Sequence, residues 1–156
     1  MTGAGRRPSP DQLRALFEPR GVVVAGASTH PGKFGFVTLH NLLAAGFAGR
    51  IGATNLDRAT VLGVPTVGSV DELDEGPWDL LFVCTPKPTV PDLLRAAASK
   101  GVRAAFLTTA GYGEAGEDGR RDEAALVALC DELGILLAGP NGQGVVSTPI
   151  EPAGGY

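Results

Sequence analysis

Short runs of aliphatic and β-branched residues alternate along this chain with stretches whose apolar positions recur at helical spacing. Val22-Val23-Val24-Ala25, Asp79-Leu80-Leu81-Phe82-Val83-Cys84, Val102 to Thr109 and Ile135 to Ala138 are apolar runs bounded by turn residues. They predict strands buried on both faces, and Gly49–Asn55 fits one more. Leu13, Leu16 and Phe17 predict a helix over Asp11–Phe17 with Asp11 as N-cap. Phe34–Ala45 carries a second helical pattern closed by Gly46. Val90–Lys100 has Pro91 and Asp92 in its first turn and Gly101 as its stop, and Arg121–Leu133 is amphipathic and ends at Gly134. Ser69-Val70-Asp71-Glu72 has capping-box spacing and predicts a short helix from Ser69, while Val61–Val67 reads as a loop with a short strand.

Strand and helix patterns in alternation predict an α/β chain, a doubly wound and mostly parallel sheet covered on both sides. Such a sheet leaves a crevice at the carboxyl ends of its strands. Five segments fall there: Gly26–Gly35, Asn55–Arg58, Cys84–Pro88, Thr109–Gly113 and Gly139–Gly144. Residues 11–150 read as one domain, 1–10 as a disordered N-terminal tail and 151–156 as a C-terminal tail.

Composition narrows the function classes. The 156 residues are 44% hydrophobic, enough for one core, and the net charge of −4 argues against a nucleic-acid partner. No apolar run approaches the ~18–20 residues that span a bilayer. No secretory h-region follows Arg6 and Arg7, so a cytoplasmic location is expected. Cys84 and Cys130 sit in apolar patterns without metal-ligand spacing and read as reduced thiols.

The richest chemistry lies in Gly21-Val22-Val23-Val24-Ala25-Gly26-Ala27-Ser28-Thr29-His30-Pro31-Gly32-Lys33-Phe34-Gly35. A strand, a turn of small residues and a helix start in one piece suit a phosphate, because bare amides and the helix dipole meet at one point. The loop is not a Walker A motif: Gly26 and Gly32 enclose five residues, and Phe34 follows Lys33 where a Ser or Thr would bind magnesium. Nor is it G-x-G-x-x-G, since Ser28 stands at the middle glycine. Asn55 occupies the end of the second strand, where NAD binders place an acid for the ribose hydroxyls.

An ordered set of residues then resembles the CoA-binding domain shared by succinyl-CoA synthetase α-subunits and NDP-forming acyl-CoA (acetate–CoA) ligases. The set runs from Phe17-Glu18-Pro19-Arg20 through the Gly21–Ser28 stretch, Pro31-Gly32, Gly35, Asn55 and Leu62-Gly63. It continues with Cys84-Thr85-Pro86, Gly101-Val102-Arg103-Ala104-Ala105, Thr109-Ala110-Gly111-Tyr112 and Gly139-Pro140-Asn141, spanning about residues 12 to 149. The resemblance implies a Rossmann-like domain with coenzyme A or acyl-CoA as ligand. It implies phosphate contacts from the loop Gly26, Ala27, Ser28, Thr29, Gly32, Lys33, Phe34 and Gly35. It further implies polar or basic contacts from Asn55 and Arg58, ligand contact from Cys84, Thr85 and Pro86, and Asn141 beside the reactive end. Arg58 is open between the 3′-phosphate, the adenine and solvent, and Asn141 between orienting a thioester and stabilising its turn. Where such proteins commonly carry a cysteine after Gly-Pro-Asn, this chain has Gly142. Their phosphorylated histidine and nucleotide-grasping domain are matched by neither His30 nor His40. The resemblance therefore implies a CoA-binding piece without a complete active site, with ligase domains or subunits as partners. An NAD(P)-binding module and a regulatory domain with a decayed nucleotide site stand as the alternatives.

Overall fold

In the computed structural model, which describes residues 7–147, five parallel strands form one sheet in the order β2-β1-β3-β4-β5. The strands are β1 (Gly21–Ala25), β2 (Arg50–Thr54), β3 (Leu80–Val83), β4 (Ala104–Leu107) and β5 (Leu136–Ala138). Every strand pair is parallel. The chain leaves β1 toward β2 and then crosses back to β3 on the other side, so the β1/β3 boundary is the switch point at which such sheets open a crevice.

Strand side chains alternate between two cores, which is why the runs are apolar at every position. Val23, Ala25, Leu81, Val83, Ala105 and Leu107 face α3 (Val90–Ser99) and α4 (Glu117–Leu133). Val22, Val24, Leu80, Phe82 and Ala104 face α1 (Pro10–Phe17) and α2 (Phe34–Ala44). Leu39, Leu81, Leu94 and Leu107 are fully enclosed.

Several boundaries differ from the sequence expectations for identifiable reasons. Helix α1 starts at Pro10 with Ser9 as its N-cap, not Asp11. The Ser9 hydroxyl accepts from Gln12 N–H and the Gln12 side chain accepts from Ser9 N–H, so Ser9 and Pro10 belong to the folded domain rather than to a tail. Residues 1–6 and 148–156 lie outside the described residues. The capping box expected at Ser69 does not form. Val70–Glu72 is a 3-10 turn without a side-chain cap, because Arg58 takes the Glu72 carboxylate. Val61–Val67 forms only isolated bridges, Val61 with Val64 and Val67 with Thr54. Helix α4 begins four residues before Arg121, at Glu117, with acidic Glu117 and Asp118 in its first turn.

Candidate functional site

The carboxyl ends of the strands carry the five segments expected there, and hydrogen bonds tie them in two groups, the β1 loop with the β2 loop and the β3 loop with those of β4 and β5. Gly26 N–H donates to Thr54 Oγ1, and Asn55 Nδ2 donates to Ala27 O at 2.9 Å, tying the β2 loop to the β1 loop. Thr109 Oγ1 donates to Thr85 O, and the Lys87 ammonium reaches both Gly111 O and Asp122, tying β3 to β4. Asn141 N–H donates to Thr109 O, tying β5 to β4.

The first loop is shaped by close backbone packing. A Cβ on Gly35 would lie 1.9 Å from Gly26 O, so α2 presses its first turn directly on the strand end. Gly26 has φ +83°, and a Cβ there would meet Cys84 O at 2.7 Å. Gly32, in contrast, faces open space. Ser28 Oγ accepts from His30 N–H and so shapes the turn. Thr29, Lys33 and Phe34 are exposed, and the N-cap residue of α2, Lys33, makes no side-chain cap. The helix therefore opens onto the crevice with its first-turn amides uncovered by any side chain.

The other candidates are placed more unevenly. The Asn55 side-chain oxygen accepts from Asp57 N–H and Ala59 N–H, so most of that amide serves the fold. Arg58 sits at φ +53° with its guanidinium paired end-on to Glu72. That carboxylate holds the guanidinium's pKa above its usual value, and Glu72 is held below the carboxylate range in return. Thr85 Oγ1 accepts from the Thr89 hydroxyl, and Pro86 O accepts from Thr89 N–H. The half-buried Cys84 thiol lies 3.8 Å from Thr38 Oγ1, and burial raises its pKa. A raised pKa means little thiolate, so Cys84 can line a site but is a poor nucleophile. Gly26–Gly35, Asn55 and Cys84–Pro86 thus meet at the switch point, whereas Asn141 stands two strands away, beyond β4. Asn141 is exposed at φ +53° after a cis Gly139-Pro140 bond. Beside it, a Cβ on Gly142 would fall 2.4 Å from Phe106 Cζ, so the Phe106 ring fills the room that a side chain would need.

Three further residues shape these loops: Lys87 and Glu114 carry no motif, and Glu72 stands in the capping-box spacing of Ser69–Glu72. Lys87 lies 4.8 Å from the Tyr112 ring while clamping two loops. The Glu114 carboxylate accepts from Gly111 N–H and Tyr112 N–H, which lowers its pKa and fixes the β4 loop. Glu72 holds Arg58. A positive residue after a Pro-flanked strand end was the one visible signal for Lys87. Glu114 reads in the sequence as part of a solvated loop, and Glu72 as part of a capping box. Separately, an apolar groove of about 550 Å³ runs along the sheet between α1 and α2, lined by Phe17, Phe34, Val37 and Phe82 and reaching Thr38 and Thr108. The Phe34 side chain faces this groove. Among the described residues, no His, Cys, Asp or Glu cluster could hold a metal ion, and no helix is long and apolar enough to cross a membrane.

The sequence profile described as "CoA binding domain" matches residues 20–148. A trans-feruloyl-CoA synthase from an unidentified prokaryote is 38% identical over 87% of this chain and 19% of its own length. The α-subunit of the ADP-forming acetate–CoA ligase II of Pyrococcus furiosus is 37% identical over 87% of this chain and 29% of its own. The chain thus spans less than a third of either curated relative. Among solved structures, a Pyrococcus horikoshii protein superposes with a TM-score of 0.77 at 35% identity, over 83% of this chain and 29% of that one. The dinucleotide-forming acetyl-coenzyme A synthetase 1 of Candidatus Korarchaeum cryptofilum, solved with phosphate and ADP, gives 0.77 at 29% identity, over 84% and 28%.

Proposed function

Because the chain belongs to the CoA binding domain family, we propose that it holds coenzyme A or an acyl-CoA in the crevice between the β1 and β3 loops. The uncapped start of α2, pressed on Gly26 by the absence of a Cβ at Gly35, carries this reading. Bare amides at a helix N-terminus favour a pyrophosphate through both hydrogen bonds and the dipole. Ser28, Thr29, Gly32 and Lys33 complete the cradle from the loop, with Lys33 as its cation and Gly26, Ala27, Phe34 and Gly35 as its framework. The adenosine end then lies toward the β2 loop, with Asn55 and Arg58 beside it, as in other sheets of this winding. The pantetheine arm passes Cys84, Thr85 and Pro86 toward Asn141.

The relatives supply the wider frame. Both are several times longer than this chain, and their names describe acyl-CoA formation. The reading that follows is a CoA-binding part of an NDP-forming acid–CoA ligase system, acting in the cytoplasm with further ligase domains or subunits as partners. This chain's own residues bind and orient the carrier. Among the described residues no group is assigned to activating an acid, so in this reading that step falls to those partners.

Titration calorimetry with CoA, acetyl-CoA, NAD and ADP tests the reading. CoA should bind, and at 100 times its Kd it should stabilise the fold by about 2.7 kcal/mol. Binding of NAD with no binding of CoA would overturn it. Acetate, ATP and CoA incubated with the chain alone should yield no acetyl-CoA.

A further inference from the structure

We propose that Glu72 sets how strongly this site distinguishes CoA from its 3′-dephosphorylated form, by masking Arg58. The inference rests on the CoA reading above, and specifically on the adenosine end lying at the β2 loop.

Arg58 is the cation of that loop, and its position is built rather than incidental. Asn55 closes the turn before it by accepting from Asp57 N–H and Ala59 N–H. A Cβ on Gly68 would lie 2.9 Å from Glu72 Oε1 and 3.0 Å from an Arg58 terminal nitrogen, so the pair occupies space that only a glycine leaves. Both terminal nitrogens of Arg58 donate to the two oxygens of Glu72. An end-on pair of this kind uses one N–H of each terminal nitrogen and leaves the side-on edge, including Nε–H, for a second anion. The Arg58 side chain is 59% exposed, and its hydrogen bonds among the described residues use the terminal nitrogens, not Nε.

The charge balance decides the effect. With Glu72 ionised the pair is neutral, and a phosphomonoester at the open edge meets a compensated cation and a nearby like charge. ADP, dephospho-CoA and NAD bring no phosphomonoester to that position. CoA does, with close to two negative charges. The wild-type site should therefore show only a small preference for the 3′-phosphate. Removing the carboxylate should enlarge that preference without changing the pyrophosphate cradle.

Isothermal titration of wild type, Glu72→Gln, Glu72→Ala and Arg58→Ala with CoA and dephospho-CoA at low salt reads the ratio of the two Kd values. A general loosening of the fold moves both ligands together and leaves the ratio alone. Both Glu72 variants should raise the ratio by roughly fivefold, the size expected of one like charge removed near a hydrated dianion, and added salt should shrink the gain. Arg58→Ala should bring the ratio to about one. Two ligands that bind wild type with a ratio unmoved or lowered in both Glu72 variants would overturn the proposal and leave the CoA site standing. An Arg58→Ala ratio equal to wild type would overturn it by putting the 3′-phosphate elsewhere. No binding of either ligand to wild type would take down both readings.

Discussion

Gly35→Ala sets two physical effects against each other. Gly35 is the second residue of α2, and in a helix alanine is worth up to about 1 kcal/mol over glycine. Propensity alone therefore forecasts a more stable protein. The packing forecasts the opposite. The new Cβ would sit 1.9 Å from Gly26 O, 2.8 Å from Gly26 C and 3.0 Å from Ala27 Cα, all of it backbone at the end of a buried strand. Relieving the worst contact requires the helix and the strand end to part by more than about 1 Å, since carbon sits comfortably at roughly 3.5 Å from its neighbours. Overpacking of this kind costs about 1–3 kcal/mol and occasionally more. We expect a net loss of about 2 kcal/mol, or roughly 4–8 °C in Tm at this chain length. Because the shift retracts the amides that cradle the pyrophosphate, CoA affinity should fall as well. Urea unfolding and calorimetry read the two effects. Gly32→Ala is the control: with nothing near its Cβ, stability should stay within about 0.5 kcal/mol of wild type. A stabilised Gly35→Ala protein with wild-type CoA affinity would refute the account of the first loop.

Other expectations follow from specific contacts. Asp79, with a side chain only 13% exposed, accepts from the Arg20 backbone N–H and from both Nε and a terminal nitrogen of Arg20. Those bonds hold its pKa below the usual range. Asp79→Asn should cost about 1–2 kcal/mol: its amide oxygen can still accept from the Arg20 main-chain N–H, but the bond loses its charge and the new NH2 faces an Arg20 donor, while the exposed Arg20 side chain adds little. A lowered folded pKa contributes stability that is complete above the unfolded value of about 4 and lost as pH falls through the folded value. The gap between wild type and Asp79→Asn in urea midpoint should therefore narrow below pH 4. Gly142→Cys should cost about 1–3 kcal/mol against Phe106, and a Phe106→Leu background should recover part of it, giving a coupling of at least about 0.5 kcal/mol in a double-mutant cycle. Cys130 is buried, and burial with nearby Asp131 pushes its pKa up to about 12. It should resist thiol reagents at pH 7 until the protein unfolds, with Cys84 reacting slowly in the native state.

The strands were legible because a parallel sheet covered on both faces demands apolar residues at every position, and no polar alternation blurs the run. Gly46 and Gly134 marked helix ends because each takes a left-handed conformation, at φ +68° and +70°. The first loop was legible because its small residues are there for backbone contact. What stayed hidden was partner choice. Two short stretches carried capping-box spacing, Ser9–Gln12 and Ser69–Glu72, and only the first forms a cap, since Arg58 draws the second glutamate away. Asn55 reads in the sequence as a ligand contact, and its three internal hydrogen bonds carry no sequence signal. The start of helix α4 is hidden in the sequence because it has no capping side chain and its acids resemble a solvated loop.

The stitching of neighbouring loops along the carboxyl rim has a kinetic consequence. Five separately hinged loops would breathe one by one, each with its own amide-exchange rate. Loops fastened in two groups, β1 with β2 and β3 with β4 and β5, should instead loosen group by group, so a ligand seated against the β3 loop should also slow exchange in the β5 loop.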